Sequence, residues 1–153
     1  MNETLTLRPI ADADRQPWER LWTGYNAFYD RAGATALAPA ITQTLWERFF
    51  DPGEPVFGLV AQHADEVVGL VHYLFHRSTS RIEPVCYLQD LFTSPELRGR
   101  GVGRALIEGV YARAHAAGAK RVYWQTRDTN TAGRLLYDKV ARHAGFIVYS
   151  HDA

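Results

Sequence analysis

The sequence contains little cysteine, no surplus of charge and no long apolar run. Its 153 residues include one cysteine, Cys86, which excludes an internal disulfide framework and a cysteine-based zinc site. Basic and acidic residues number 17 each, so the chain lacks the general basic field of a non-specific nucleic-acid binder. No apolar stretch approaches the roughly 18 residues of a membrane span, and residues 1–14 do not resemble a secretory signal. We expect a cytoplasmic globular protein with no nucleic-acid or membrane partner.

Apolar periodicity predicts strands and helices that alternate within one domain over residues 1–153. The predicted strands are 5–10, 55–63, 66–76, 84–94, 121–126 and 145–150. The first predicted helix follows Asp12 or Asp14, either of which could be its N-cap, and its apolar face covers 18–29. The other predicted helices cover 41–50, 101–117 and 129–144. The strands on either side of Ala64 and Asp65 form an antiparallel hairpin. The order β-α-α-β-β-β-α-β-α-β indicates an α/β (α+β) fold.

A turn rich in glycine and arginine, LRGRGVGRALI at 97–107, precedes the third predicted helix. Its glycines leave backbone N–H groups unobstructed, and a helix N-terminus attracts anions, phosphate above all. The loop lacks the Lys-Ser/Thr pair of a Walker motif. It also lacks the last glycine of the dinucleotide-binding motif GxGxxG, because Arg104 and Leu106 stand where that glycine would be. The alternative is an ordinary turn with solvated arginines. The residues concerned are Arg98, Gly99, Arg100, Gly101, Gly103 and Arg104.

The turn resembles the acyl-coenzyme A loop of the GCN5-related N-acetyltransferase (GNAT) family, because RGRGVG at 98–103 matches R/Q-x-x-G-x-G/A. YLQDLFTSPEL resembles that family's fourth strand, and TRDTNTAGRLLYDKVARHAGF resembles its last conserved segment. RLWTGYNAFY, LWERFFDP and VYWQT further resemble the fungal histone/polyamine and D-amino-acid acetyltransferase subgroup. The resemblance implies a mixed, mostly antiparallel sheet with helices on both faces, splayed between strands four and five.

The resemblance also implies acetyl-CoA as the co-substrate, with no metal ion. The pyrophosphate would lie on the N–H groups of residues 98–104, and the pantetheine arm along the fourth strand. Asn130 matches a residue near the pantetheine, although it is equally placed to cap the following helix. The implied co-substrate residues are Leu91, Phe92, Thr93, Arg98, Gly99, Arg100, Gly101, Val102, Gly103, Arg104 and Asn130.

Two residues are candidates for the catalytic chemistry. Tyr137 matches the family's tyrosine acid, and its phenol is protonated at neutral pH; the alternative is packing within a helix. Gln89 stands where similar polyamine acetyltransferases can carry a glutamate, so Asp90 is the next candidate for the base. Strand alternation points Gln89 and Asp90 to opposite faces. A water chain that ends at Asp90 or Glu54 is an equally good hypothesis.

The resemblance implies that the acceptor is a primary amine of a small molecule, such as a polyamine or an amino acid, which attacks directly. The alternatives are a protein lysine acetyltransferase and a non-catalytic acyl-CoA-binding module. Tyr25, Tyr29 or Trp22 are candidate walls of the acceptor pocket. His72 and His76, although four residues apart, fall in a strand, and the histidines show no metal-binding grouping.

The predicted last strand leaves an apolar, β-branched edge in water, which favours association. We therefore expect a homodimer in which residues 146–149 pair across a two-fold axis. The fungal subgroup that the sequence resembles also associates.

Overall fold

The strands of the central sheet lie side by side in the order in which they occur along the chain. The computed structural model describes residues 4–153. The sheet order is β1-β2-β3-β4-β5, and the first four strands are antiparallel. The strands are β1 (Leu5–Pro9), β2 (Val56–His63), β3 (Glu66–His76), β4 (Val85–Thr93) and β5 (Val122–Tyr123).

Helices cover both faces of this sheet. They are α1 (Arg15–Phe28), α2 (Pro39–Phe49), α3 (Val102–Ala116) and α4 (Thr131–Val140), with 3-10 turns at Asp12–Asp14, Gly33–Thr35 and Pro95–Leu97. An aromatic cluster joins α1 and α2 to one face, through Trp18, Trp22 and Trp46. On the other face, α3 packs Leu106, Ile107 and Val110 against the sheet. In the described residues, no helix is long and apolar enough to cross a membrane.

The start of α1 differs in detail from the predicted cap. Asp14 precedes the helix, but its side chain makes no capping hydrogen bond. Its carboxylate instead accepts from the Ala11 N–H at 2.8 Å and from the two terminal nitrogens of Arg8 at 2.7 and 2.9 Å. Asp14 therefore fixes the link between β1 and α1, and Pro17 lies in the first helical turn, where a missing N–H costs no bond.

The β4–β5 pair separates soon after it begins. These strands run parallel and pair only at Cys86 with Val122 and at Tyr87 with Tyr123. Beyond Tyr87, β4 continues to Thr93 while pairing with β3 alone in the described part of the chain. The splay between strands four and five is confirmed, and it opens a gap beside residues 88–93 of β4.

A bulge interrupts β4 just where the strands separate. His72 of β3 pairs with Asp90, but Tyr73 pairs with Leu88, so Gln89 has no partner in the register. The extra residue bends the strand and reverses the alternation of its side chains. Leu88 consequently packs toward α3, whereas Asp90 contacts His72 on the opposite face.

The predicted element order is confirmed up to α4, and the predicted last strand is wrong. Residues 142–153 have no regular secondary structure. Phe146, Ile147, Val148 and Tyr149 are 67–88% exposed. A strand needs a neighbour for its backbone groups, and β-branched composition cannot supply one. The predicted strand at 121–126 also shortens to β5, and the helix at 129–144 shortens to α4.

Candidate active site

The glycine turn presents a row of backbone donors. Gly99 and Gly101 have φ angles of 78° and 83°, which favour glycine, and Gly101 is the N-cap of α3. Within the described residues, none of the N–H groups of residues 99–104 donates to a backbone or side-chain acceptor. Six consecutive donors at the positive end of a 15-residue helix are therefore available to an anion.

The arginines of the turn differ in their surroundings. The guanidinium of Arg98 lies 5.3 Å from the ring centroid of Phe92, in β4. Arg104 points along α3 and donates to Glu108 at 2.8 Å, so its charge is already paired. For binding a phosphate, the backbone N–H of Arg104 is therefore more available than its side chain.

Close packing brings the turn, β4 and α4 together. A Cβ atom at Gly103 would lie 3.4 Å from Leu136 Cδ2 and 3.8 Å from Thr93 Oγ1. Both distances are ordinary van der Waals contacts, so the start of α3 packs directly against β4 and α4 at Gly103.

A pocket of about 390 Å³ lies where β4 and β5 separate. It draws side chains from α1, β4 and the segments that follow α1 and β5. The lining residues are Tyr25, Tyr29, Arg31, Tyr87, Gln89, Asp90, Gln125, Thr126, Arg127 and Val148.

The bulge places Gln89 and Asp90 on the same pocket. Both residues line it, and the simple alternation assumed from the sequence is interrupted at this point of β4. The reason is the extra residue in β4, which interrupts the two-residue side-chain period. Asp90 is 8% exposed, and its Oδ2 lies 2.9 Å from His72 Nδ1.

His72 is held from its other side by Trp18. The indole Nε1 of Trp18 donates to His72 Nε2 at 2.9 Å. Residue patterns do not reveal this role of His72, because its partners are 54 and 18 residues away along the chain. The sequence feature that could have indicated its role is the position of a polar residue in the middle of the apolar strand β3.

Cationic side chains flank the opening of this pocket. The Arg127 guanidinium lies 5.0 Å from the ring centroid of Tyr29, and that of Arg31 lies 5.5 Å from it. Arg127 also contacts Asp30 at 3.4 Å, and Arg31 donates to Asn26 at 2.7 Å. Neither arginine was among the predicted site residues. The pocket combines one recessed carboxylate with two guanidinium groups.

Tyr25 of α1 and Tyr29, the C-cap residue of that helix, line one wall of the pocket. The Tyr25 hydroxyl lies 3.4 Å from the Gln89 carbonyl oxygen. Burial, followed by the charge of Asp90, raises the pKa of Tyr25, so its phenol stays protonated. Trp22 does not line the pocket in the described residues; its indole donates to Thr42 at 3.1 Å.

Tyr137 lies on the α3 side of the gap. Its ring contacts Trp124 edge-on, 5.5 Å between centroids, next to the core under α3. Burial raises the pKa of Tyr137, and the neighbouring Tyr29 adds to the shift. The phenol is therefore protonated at neutral pH, as a proton donor must be.

The remaining candidates have structural partners. Asn130 caps α4, accepting from the Gly133 N–H at 3.2 Å and donating to Thr126 at 2.9 Å. Glu54 lies 3.9 Å from Arg48 and does not line the pocket. Cys86 is fully buried, and burial raises its thiol pKa to about 12.

The sequence matches the model of the Acetyltransferase (GNAT) family over residues 16–141. It is 34% identical to the D-amino-acid N-acetyltransferase HPA3 of Saccharomyces cerevisiae, with 99% of this chain and 93% of the yeast protein covered. It is 26% identical to the uncharacterized N-acetyltransferase YhfO of Bacillus subtilis, with 95% of each chain covered.

Solved structures share the fold. The aminoglycoside N-acetyltransferase AAC(6')-Iy, in complex with the bisubstrate analogue CoA-S-monomethyl-acetylneamine, superposes with a TM-score of 0.80 at 15% identity. The match covers 98% of this chain and 99% of that chain. The chain therefore belongs to the GNAT family of acetyltransferases and is an acyltransferase enzyme.

Proposed function

We propose that this enzyme transfers an acetyl group from acetyl-CoA to the primary amine of a small molecule. The observation that carries the proposal is the gap between β4 and β5. One end of it adjoins the free N–H groups of the glycine turn, and the pocket that contains Asp90 lies where the two strands separate.

Acetyl-CoA supplies an activated acyl group on a thioester. The N–H groups of residues 99–104 and the charges of Arg98 and Arg100 would hold its phosphates. The unpaired side of β4 at Leu91, Phe92 and Thr93 would hold the pantetheine arm. Asn130 supports the same surface through its cap on α4.

Tyr137 and Asp90 divide the proton transfers. A primary amine, with a pKa near 10.4, binds mostly protonated and must lose a proton before it attacks. Asp90 attracts the cation and takes that proton, directly or through water. The C–N bond forms and the C–S bond breaks as the phenol of Tyr137 donates a proton to the departing sulfur, and the second proton that the nitrogen loses returns to the phenolate through water.

The charges of the pocket favour an acceptor that carries an acid group as well as an amine. Asp90 would bind the ammonium group, while Arg31 and Arg127 would bind a carboxylate. An amino acid has both groups, and the yeast relative is named for D-amino acids. A polyamine would place further positive charge beside the two guanidiniums.

We also propose that the enzyme is a homodimer. Phe146 borders the groove beside β5, and Val148 borders the acceptor pocket, yet neither residue is in a strand. Four consecutive exposed apolar residues, 146–149, are a surface that a second copy would cover. The two-fold pairing expected from the sequence would place both pockets near the interface.

The amine class is tested by release of free CoA across an acceptor panel. The panel contains amino acids of both hands, diamines and polyamines, an aminoglycoside and a lysine-containing peptide. Turnover highest with amino acids supports the proposal. Turnover with the peptide alone would instead indicate a protein lysine acetyltransferase.

A further inference from the structure

Three buried side chains form a hydrogen-bonded chain that ends at the acceptor pocket. Trp18, His72 and Asp90 are 0%, 2% and 8% exposed. Both links, Trp18 Nε1 to His72 Nε2 and His72 Nδ1 to Asp90 Oδ2, measure 2.9 Å. The chain crosses from α1 through β3 to β4.

The direction of these bonds follows from the donor groups. An indole N–H only donates, so His72 Nε2 must be the acceptor and carries no proton. The remaining proton of the neutral imidazole is then on Nδ1, where it is donated to Asp90. Trp18 therefore selects the tautomer of His72.

The same bond opposes the charged form of His72. An imidazolium carries protons on both nitrogens, and the Nε2 proton would face the indole N–H. The ring is surrounded by Trp22 and Phe49, at 5.1 and 5.0 Å between centroids, and its ionisable neighbour is Asp90, beside Tyr25. His72 consequently donates to Asp90 and cannot take the proton that Asp90 receives.

We propose that His72, locked by Trp18, is the positioning residue of the acceptor site. Its Nδ1–H fixes one carboxylate oxygen of Asp90 and so orients the carboxylate beside Tyr25 at the acceptor pocket. This inference rests on the proposed function, since the amine is what Asp90 would bind. The proton that the amine loses is then transferred to Asp90 or to water in the pocket, and not to His72.

The first test measures the tautomer and needs no turnover. NMR of the full chain labelled with ¹⁵N-histidine reports which ring nitrogen is protonated, and the spectrum of His72→Asn identifies the His72 signals. At pH 7 we expect the Nδ1–H tautomer, because the indole N–H occupies Nε2. An Nε2–H tautomer overturns the proposal.

The lock itself is tested by a matched pair of variants. Trp18→Phe removes the donor to Nε2, so the His72 signals should no longer show the Nδ1–H tautomer alone. Trp46→Phe is the control, because it makes the same substitution in the same aromatic cluster. The Trp46 ring lies 4.9 Å from that of Trp18 between centroids but takes no part in this chain of hydrogen bonds. A mixture of His72 tautomers in both variants, or in neither, contradicts the assigned role of Trp18.

Kinetics test the positioning role. His72→Leu should raise KM for the amine roughly 10- to 100-fold, as for the loss of a hydrogen bond to a charged group, and leave KM for acetyl-CoA unchanged. His72→Asn keeps a donor near the Nδ1 position and should recover part of the loss. If folded His72→Leu keeps the wild-type KM for the amine, the residue is structural. If wild type binds acetyl-CoA but acetylates no small amine, the proposed function fails, and the tautomer result is unaffected.

Discussion

The guanidinium of Arg98 lies over the ring of Phe92, 5.3 Å from its centroid, and so joins the glycine turn to β4. The same ring touches α1, since a Cβ at Gly24 would come within 2.8 Å of two of its atoms. Phe92 therefore stands between the helix that carries the pocket tyrosines and the turn that offers free donors. The proposed acceptor and co-substrate sites share this one side chain as a support.

The glycine turn is tested by a substitution at each end of α3. Gly101→Asp should raise the Kd of acetyl-CoA at least about 10-fold, because a carboxylate would face the phosphates. Gly118→Asp is the control, since Gly118 has a similar φ of 87° and equally open space. Both variants carry backbone strain of about 1 kcal/mol. Calorimetry that finds equal affinity in the two variants would contradict the phosphate assignment.

The role of Tyr137 is tested by removing its hydroxyl. Tyr137→Phe should lower kcat roughly 100-fold, the effect of a lost general acid, and leave the Kd of acetyl-CoA nearly unchanged. Tyr111→Phe is the matched control, because its hydroxyl donates to the Val140 carbonyl at 2.9 Å in the same region. That variant should lose only about 1 kcal/mol of stability. An unchanged kcat in folded Tyr137→Phe would reduce the residue to packing.

The arginines at the pocket opening are tested by changing the acceptor. Arg127→Gln should raise KM for an amino acid about 10-fold, as expected for one lost ionic contact, and should not raise KM for a diamine. Arg20→Gln, on the exposed surface of α1 and away from the pocket, serves as the control. Equal effects on both acceptors would show that Arg127 does not read a carboxylate.

Asp14 gives a prediction about stability and pH. The Arg8 hydrogen bond, followed by the Ala11 N–H, lowers the pKa of Asp14 below its unfolded value. The stabilisation is therefore complete above the unfolded pKa near 3.9 and is lost as the pH falls through the folded pKa. Asp14→Asn should cost about 1 kcal/mol at pH 7, since Arg8 is one third exposed, and the difference should narrow below about pH 4.

Urea unfolding of both proteins across this range checks the prediction. Asp12→Asn is the control, because Asp12 is exposed in the same 3-10 turn. A cost that does not change between pH 7 and about pH 3 would exclude the ionic contribution.

The dimer is tested by shortening the chain. Removing residues 146–153 should convert the protein to a monomer in light scattering at micromolar concentration. Removing only 150–153 keeps the apolar segment and should leave the dimer. A monomeric wild type refutes association, and a dimer that survives the longer deletion places the interface elsewhere.

Local patterns were sufficient to predict most of the fold. The aromatic spacing of α1, the hairpin at Ala64 and the glycine turn before α3 depend on residues close in sequence, so periodicity and turn chemistry expose them. The final strand failed because pairing depends on a neighbour, which the segment at 145–150 lacks within the described chain.

The site was only partly predictable for a similar reason. Asp90 and the glycine turn carry recognisable residue types in a recognisable order. The link from His72 to Asp90 depends on the register between β3 and β4, and a bulge at Gln89 sets that register. One extra residue in a strand is invisible to a pattern that assumes perfect alternation.

The burial of Cys86 keeps the protein's own thiol from interfering with an assay that measures the release of free CoA. Its sulfur is fully buried between strand and helix, and its thiol pKa is raised to about 12, so it is a poor nucleophile in the native state. A thiol-reactive dye added during turnover therefore reports the CoA that is released, without a signal from the protein's own thiol. In denaturant, the same dye gains one equivalent of reactive sulfur per chain. A single reagent thus counts catalytic events in the folded enzyme and counts unfolded molecules once the fold is lost.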